Sequence, residues 1–196
     1  MTARGLLLAA GAGRRMGGPK ALLRDPAGVP YLDRAVGGLL AGGCDTVTVV
    51  LGASAPEAGA LLDEAGWSTD PTVEVVLAHD WDEGMGASLR AGLQSLSGSG
   101  GDAALVTLVD LPDVGVEVFR RVLAEGSSAG ATALVRATYD GEPGHPVLIG
   151  REHWAGVVEA ARGDRGARTY LGQHDVVACE CGDLATGRDL DRPEDL

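Results

Sequence analysis

Residues 5–23, GLLLAAGAGRRMGGPKALL, hold the densest chemistry in the chain. The apolar run from Leu6 to Ala10 stops at a loop that contains Gly11, Gly13, Gly17 and Gly18 with Arg14, Arg15 and Lys20. Glycines let a backbone turn tightly and aim successive N–H groups at an anion. With cations beside them, the loop reads as a cradle for nucleotide phosphate. Lys20 is the only lysine among 16 basic residues, and a compact ammonium contacts phosphate differently from a planar guanidinium. A second candidate is Asp110, which directly follows the apolar stretch 103–109. A carboxylate there costs free energy unless a cation or donors meet it, and ligands of open α/β sheets bind beyond the C-terminal ends of strands. Asp110 is therefore the leading magnesium ligand, while Asp113, just before the helical stretch 114–125, reads as a helix cap.

Two familiar phosphate loops fail on spacing. The dinucleotide fingerprint needs a third glycine where Met16 stands, and the helix that should open there meets Pro19. The Walker loop needs Gly-Lys-Ser/Thr, but Pro19 separates Gly18 from Lys20 and Ala21 has no hydroxyl.

Strand-like and helix-like stretches alternate through the rest of the chain. Strands are expected at 6–10, 46–51, 73–78, 103–109, 131–137 and 147–149, and the segments at 176–178 and around Leu184 are expected to complete the sheet. Helices are expected at 30–41, 56–65, around Leu89 and Leu93, at 114–125, and from Arg151. This alternation predicts one α/β domain over residues 1–196, a three-layer α/β/α sandwich with a mostly parallel sheet.

The pattern LAAGAGRRMGGPKALL resembles the N-terminal signature of the MobA-like nucleotidyltransferases, particularly the branch that transfers CMP to molybdopterin cofactor. The resemblance extends to HDWDEGMGASL, LVDLPDV, GHPV, GDRGAR and the final DLDRPEDL, and so covers the chain from Leu6 to Leu196. It implies the nucleoside-diphospho-sugar transferase fold with one antiparallel strand late in the sheet. It also implies nucleotide contacts from Leu8, Ala9, Ala10, Gly11, Gly13, Arg15, Lys20, Gly84, Ser88 and Asp110. Arg15, Lys20 and Asp110 would be catalytic, and Asp110 and Asp191 would share Mg2+. Gly144, His145, Pro146, Asp164 and Arg168 would border the acceptor. Two departures stand out: Gly86 and Ala87 replace family serines, which leaves Ser88 as the hydroxyl. His145 reads first as a turn residue between Gly144 and Pro146, with a proton carrier as the alternative, and Asp164 has a helix cap as its alternative. Leu-Ala-Ala-Gly matches the CTP-using branch, whereas Leu-Ala-Gly-Gly marks GTP-using relatives, so Ala10 would set nucleotide choice.

The expected activity is transfer of CMP from CTP to a phosphorylated acceptor, molybdopterin cofactor first, with release of pyrophosphate. A pyridine-nucleotide oxidoreductase on the same fold is the alternative, and a cofactor-insertion chaperone for a molybdoenzyme client is a third. Net charge of −12 argues against a nucleic-acid partner. Cys44, Cys179 and Cys181 form neither a disulfide framework nor a four-ligand zinc pattern. The apolar runs are too short to span a membrane and no signal peptide is apparent, so a cytoplasmic location is expected.

Overall fold

The computed structural model describes residues 1–98 and 100–195. Among them, strands β1 (Ala3–Ala9), β2 (Thr46–Leu51), β3 (Val73–Leu77), β4 (Ala103–Leu108), β5 (Leu134–Tyr139), β6 (Glu142–Gly150) and β7 (Val177–Glu180) form one sheet. The spatial order is β3, β2, β1, β4, β6, β5, β7. Every pairing is parallel except those of β6, which runs antiparallel to both β4 and β5. The mostly parallel sheet and its single antiparallel strand agree with the sequence reading.

The apolar run of β1 reflects burial on both faces, as expected of a central parallel strand. Leu7 and Ala9 point into one core with Leu32, Val36 and Leu39 of α1 (Tyr31–Gly42). That core also takes in Leu62 of α2 (Ala55–Glu64) and Phe119 of α4 (Val116–Gly126). Leu6, Leu8 and Ala10 point to the other face. There they meet α3 (Met85–Leu96), α5 (Arg151–Ala160) and the single turn α6 (Arg168–Leu171) through Leu89, Leu93, Trp154 and Leu171. Helices on both faces leave the C-terminal sheet edge open for a site.

Three expectations need correction. The strand predicted from Ala131 begins at Leu134, because Gly130–Thr132 forms a 3-10 turn. The segment after it is a hairpin: Tyr139 pairs with Glu142 across Asp140 and Gly141, both with positive φ, and β6 runs nine residues where a short strand at 147–149 was expected. An Asp-Gly pair is the two-residue loop such hairpins favour. The segment around Leu184 does not join the sheet, since its N–H bonds back to the Cys181 carbonyl in a turn after β7.

Candidate active site

The glycine loop leaves β1 and folds back on itself. The Met16 and Gly18 N–H groups donate to the Gly13 carbonyl at 2.9 and 3.2 Å. Gly13 has φ +57°, and a Cβ there would meet the Gly18 carbonyl oxygen at 1.8 Å, so no other residue fits. The N–H groups of Gly11 through Arg15 have no partner among the described residues. They line the turn between the end of β1 and the 3-10 turn Lys20–Leu22.

That turn delivers Lys20 to two carboxylates from distant parts of the chain. Its Nζ lies 2.7 Å from Asp110 Oδ2 and 2.8 Å from Asp191 Oδ1. Asp110 follows the buried end of β4, and its carbonyl accepts from the Leu190 N–H at 2.9 Å. Leu190 itself is buried in the core, so this anchor sets Asp191 beside Lys20. The Asp195 carboxylate accepts from the N–H groups of Asp191 and Arg192 and stiffens the same turn. Burial raises the Asp110 pKa, although the Lys20 hydrogen bond and charge pull it down. Asp191 is more exposed, and the Lys20 hydrogen bond holds it below the ordinary carboxylate range. For Lys20, desolvation works to lower the pKa, and bonds and charges from both aspartates outweigh it and raise the value.

A cavity of about 300 Å³ is lined by Lys20 and Asp110 of this triad, though not by Asp191. Leu8, Ala9, Ala10, Gly11, Gly13 and Lys20 form one wall. Gly84, Ser88, Asp110 and Trp81 also line the cavity. Among the nucleotide residues expected from sequence, Arg15 does not line this cavity, whereas Arg14 does. Arg15 instead acts on Asp191 through its charge. The N-terminus of α3 accounts for one of the two missing serines: a Cβ on Gly86 would meet the backbone of Ala161 to Gly163 at 2.9–3.0 Å, while nothing in the structure explains Ala87; at Gly84 a Cβ would meet Asp164 Oδ1 at 2.5 Å. Close approach of that loop demands glycine.

A second cavity of about 280 Å³ adjoins the first and shares Leu8, Met85, Leu108 and Asp164 with it. Gly144, His145, Asp164 and Arg168 line it, while Pro146 does not. His145 is not a turn residue; it lies in β6, follows Gly144 and precedes a cis bond to Pro146. Burial, then the charges of Arg136 and Arg168, push its imidazole down to about 4, so it is neutral at pH 7. Asp164 caps no helix, because α6 begins at Arg168 without a side-chain cap. Asp113 likewise caps nothing: its carboxylate accepts from the N–H and hydroxyl of Thr186 at 2.6 and 2.7 Å and ties down the segment that leads to Asp191. Sequence reasoning missed Trp81 and Arg136; an arginine inside the apolar strand LVRATY was the available signal for the latter. No helix among the described residues is long and apolar enough to cross a membrane.

Comparison with known proteins agrees with this architecture. A relative named nicotine blue oxidoreductase, from Paenarthrobacter nicotinovorans, is 35% identical, with the match covering 98% of this chain and 93% of the relative. A nucleotidyl transferase from Methanothermobacter thermautotroptrophicus superposes with a TM-score of 0.78 at 21% identity, covering 99% of this chain and 94% of that one. A Mycobacterium tuberculosis protein in complex with manganese gives 0.71 at 23% identity over 92% of this chain and 88% of its own. The fold is that of the nucleoside-diphospho-sugar transferases. Residues 5–177 match the MobA-like NTP transferase domain, and the chain belongs to that family.

Proposed function

We propose that this protein is a nucleotidyltransferase that moves CMP from CTP onto the phosphate of a small acceptor, with molybdopterin cofactor the first candidate, and releases pyrophosphate. The Lys20 ammonium held between Asp110 and Asp191 beside the glycine loop carries this reading. Two carboxylates already share one cation there, and among the described residues no cluster of three or more His, Cys, Asp or Glu forms a metal cage. That donor set fits magnesium, which prefers oxygen, keeps several waters and leans on substrate phosphates. Asp110 and Asp191 would hold the ion, which when bound neutralises charge on the phosphate oxygens. A protein of the same fold is known in complex with manganese, which supports a divalent ion.

The chain's own groups then have defined work. The free N–H groups of Gly11 to Arg15 bind the triphosphate. An acceptor phosphate oxygen attacks the α-phosphorus in line, the bond from that phosphorus to its bridging oxygen breaks, and pyrophosphate departs. Because the attacking phosphate monoester is already ionised, no side chain has to accept a proton. Lys20 turns from the carboxylates to the phosphates, and with Arg14 on the cavity lining and Arg15 near Asp191 it stabilises charge on the leaving group. Ala10, in the cavity wall beside Gly52 and Trp81, sets the preference for CTP.

A second reading follows from the oxidoreductase name of the relative that is 35% identical: a pyridine nucleotide would lie along the same loop. Thermal shifts of the protein with CTP, GTP, ATP and NADPH separate the two. Stabilisation by CTP above the others, dependent on magnesium, supports transfer; stabilisation by NADPH alone overturns it.

A further inference from the structure

The second cavity is lined by Arg136, Arg165 and Arg168 against Asp164 and Asp189, an excess of cations where the nucleotide side has an excess of acids. Arg136 projects from β5 on the same sheet face as Leu134, and its Nε donates to the Gly144 carbonyl at 3.1 Å. Arg168 reaches the cavity from α6. Among the described residues neither guanidinium has an acid within ion-pair distance, although Asp164 and Asp189 also line the cavity. Burial first, and then the charge of Arg168, pull the Arg136 pKa below its ordinary value. The neutral His145 beside them contributes ring nitrogens without a charge of its own.

The sheet register separates this cluster from the reacting centre. Arg136 lies across from Val147, and Val147 across from Val106. Arg136 is therefore level with Val106 and two strands, roughly 10 Å, away from it. Asp110 lies four positions beyond Val106. Val109 and Asp110 lie in the turn past the end of β4 at Leu108, so Asp110 stands beyond the sheet edge while Arg136 sits within the sheet. Of the two cavities, Lys20 and Asp110 line only the first, and Arg136 and Arg168 only the second, so the two clusters occupy adjoining but separate cavities.

We propose that Arg136 and Arg168, with His145, form an oxyanion subsite that holds a second anionic group of the acceptor, a phosphate or carboxylate remote from the phosphate that receives the nucleotide. Guanidinium forks match either oxyanion bidentately. The role as acceptor subsite rests on the nucleotidyl-transfer reading; the binding of an oxyanion does not. The subsite selects acceptors with anionic groups at both ends, which favours such an acceptor over molybdopterin with its single phosphate, and Arg136 acts in specificity without touching the reacting atoms.

The full chain can be titrated separately with inorganic phosphate and with acetate while NMR follows the His145 ring and the Gly144 and Ala167 amides. In the wild type these signals should shift, and Arg136→Gln and Arg168→Gln should each weaken the response at least ten-fold. Lys20→Ala should leave it unchanged. Tighter binding of phosphate assigns the remote group as phosphate, and tighter binding of acetate assigns it as carboxylate. Arg168 is exposed with no side-chain partner among the described residues, so its variant keeps the test valid even where Arg136→Gln fails to fold. No response in the wild type, or an equal response in wild type and Arg168→Gln, overturns the subsite. A surviving anion response in a protein that binds no nucleoside triphosphate would support the subsite and remove the transfer reading.

Discussion

Lys20 is clamped between two carboxylates, whereas Arg136 and Arg168, in the adjoining cavity, have no acid within ion-pair distance among the described residues. In the first cluster the cation is already paired with two carboxylates: a ligand that enters there must exchange partners, with Lys20 yielding Asp110 and Asp191 to a metal ion and taking phosphate instead. In the second cluster the guanidiniums of Arg136 and Arg168 are in no ion pair among the described residues, although Asp164 and Asp189 line the same cavity, and a ligand can pair with them without displacing an acid. The contrast suggests that the nucleotide half discriminates by rearrangement, while the acceptor half discriminates by charge.

Removal of Lys20 should break this contrast most severely. Lys20→Ala takes away the stabilising cation and should lower the rate of pyrophosphate release roughly 10²–10³-fold. It also leaves Asp110 buried without its partner, with a folded-state pKa still further above the unfolded one. A carboxylate raised in this way stabilises the fold only while protonated. The stability deficit of the variant should therefore be smallest below the unfolded carboxylate range and grow as pH rises through the raised folded value. Melting curves of wild type and variant across acidic and mildly alkaline pH measure this; a deficit that shrinks as pH rises would contradict the assignment.

A smaller effect should come from Asp113→Asn, because Asp113 holds Thr186 and thereby the segment that carries Asp191. Loss of charge-assisted bonds at an exposed place should cost about 1 kcal/mol. The activity loss should appear mainly as a higher magnesium requirement. Denaturant unfolding and magnesium titration of the rate check both; a stability loss with no change in magnesium requirement would detach Asp113 from the site.

The mildest test concerns the support of the acceptor half. Glu180 accepts hydrogen bonds from the Thr138 hydroxyl and from the N–H groups of Gly182, Gly141 and Asp140, which hold its pKa near 2 and tie β7 to the β5–β6 hairpin. A depressed pKa contributes stability above the unfolded carboxylate value, and that contribution fades as pH falls through the folded one. Wild type should exceed Glu180→Gln in stability at neutral pH, and the gap should close between about 4.5 and about 2. A gap independent of pH would remove this role.

The two halves also differed in how far the sequence disclosed them. That Lys20 and Asp110 come together with the glycine loop was legible because the proposed phosphate site would call for local residue types, and the Gly-Met and Pro-Glu-Asp-Leu motifs pointed to Gly84 and Asp191. Arg136 was not, since an arginine in a strand ordinarily faces water; only the placement of β5 beyond β6, beneath the Arg168 turn, encloses it. Asp113 was misread because helix caps are local, whereas its partner Thr186 stands 73 positions away. The β5–β6 hairpin was visible in principle in Asp140-Gly141, and the glycine and proline around His145 obscured the strand that follows.

The central claim is that Asp110 and Asp191 hold a divalent ion together with a nucleoside triphosphate. Calorimetric titration of magnesium into the protein, with and without CTP, tests it most directly. The account predicts weak binding of magnesium alone, at least ten-fold tighter binding with CTP, and loss of that gain in both Asp110→Asn and Asp191→Asn. CTP binding that is equally tight in EDTA, or a magnesium response unchanged in both variants, would contradict it.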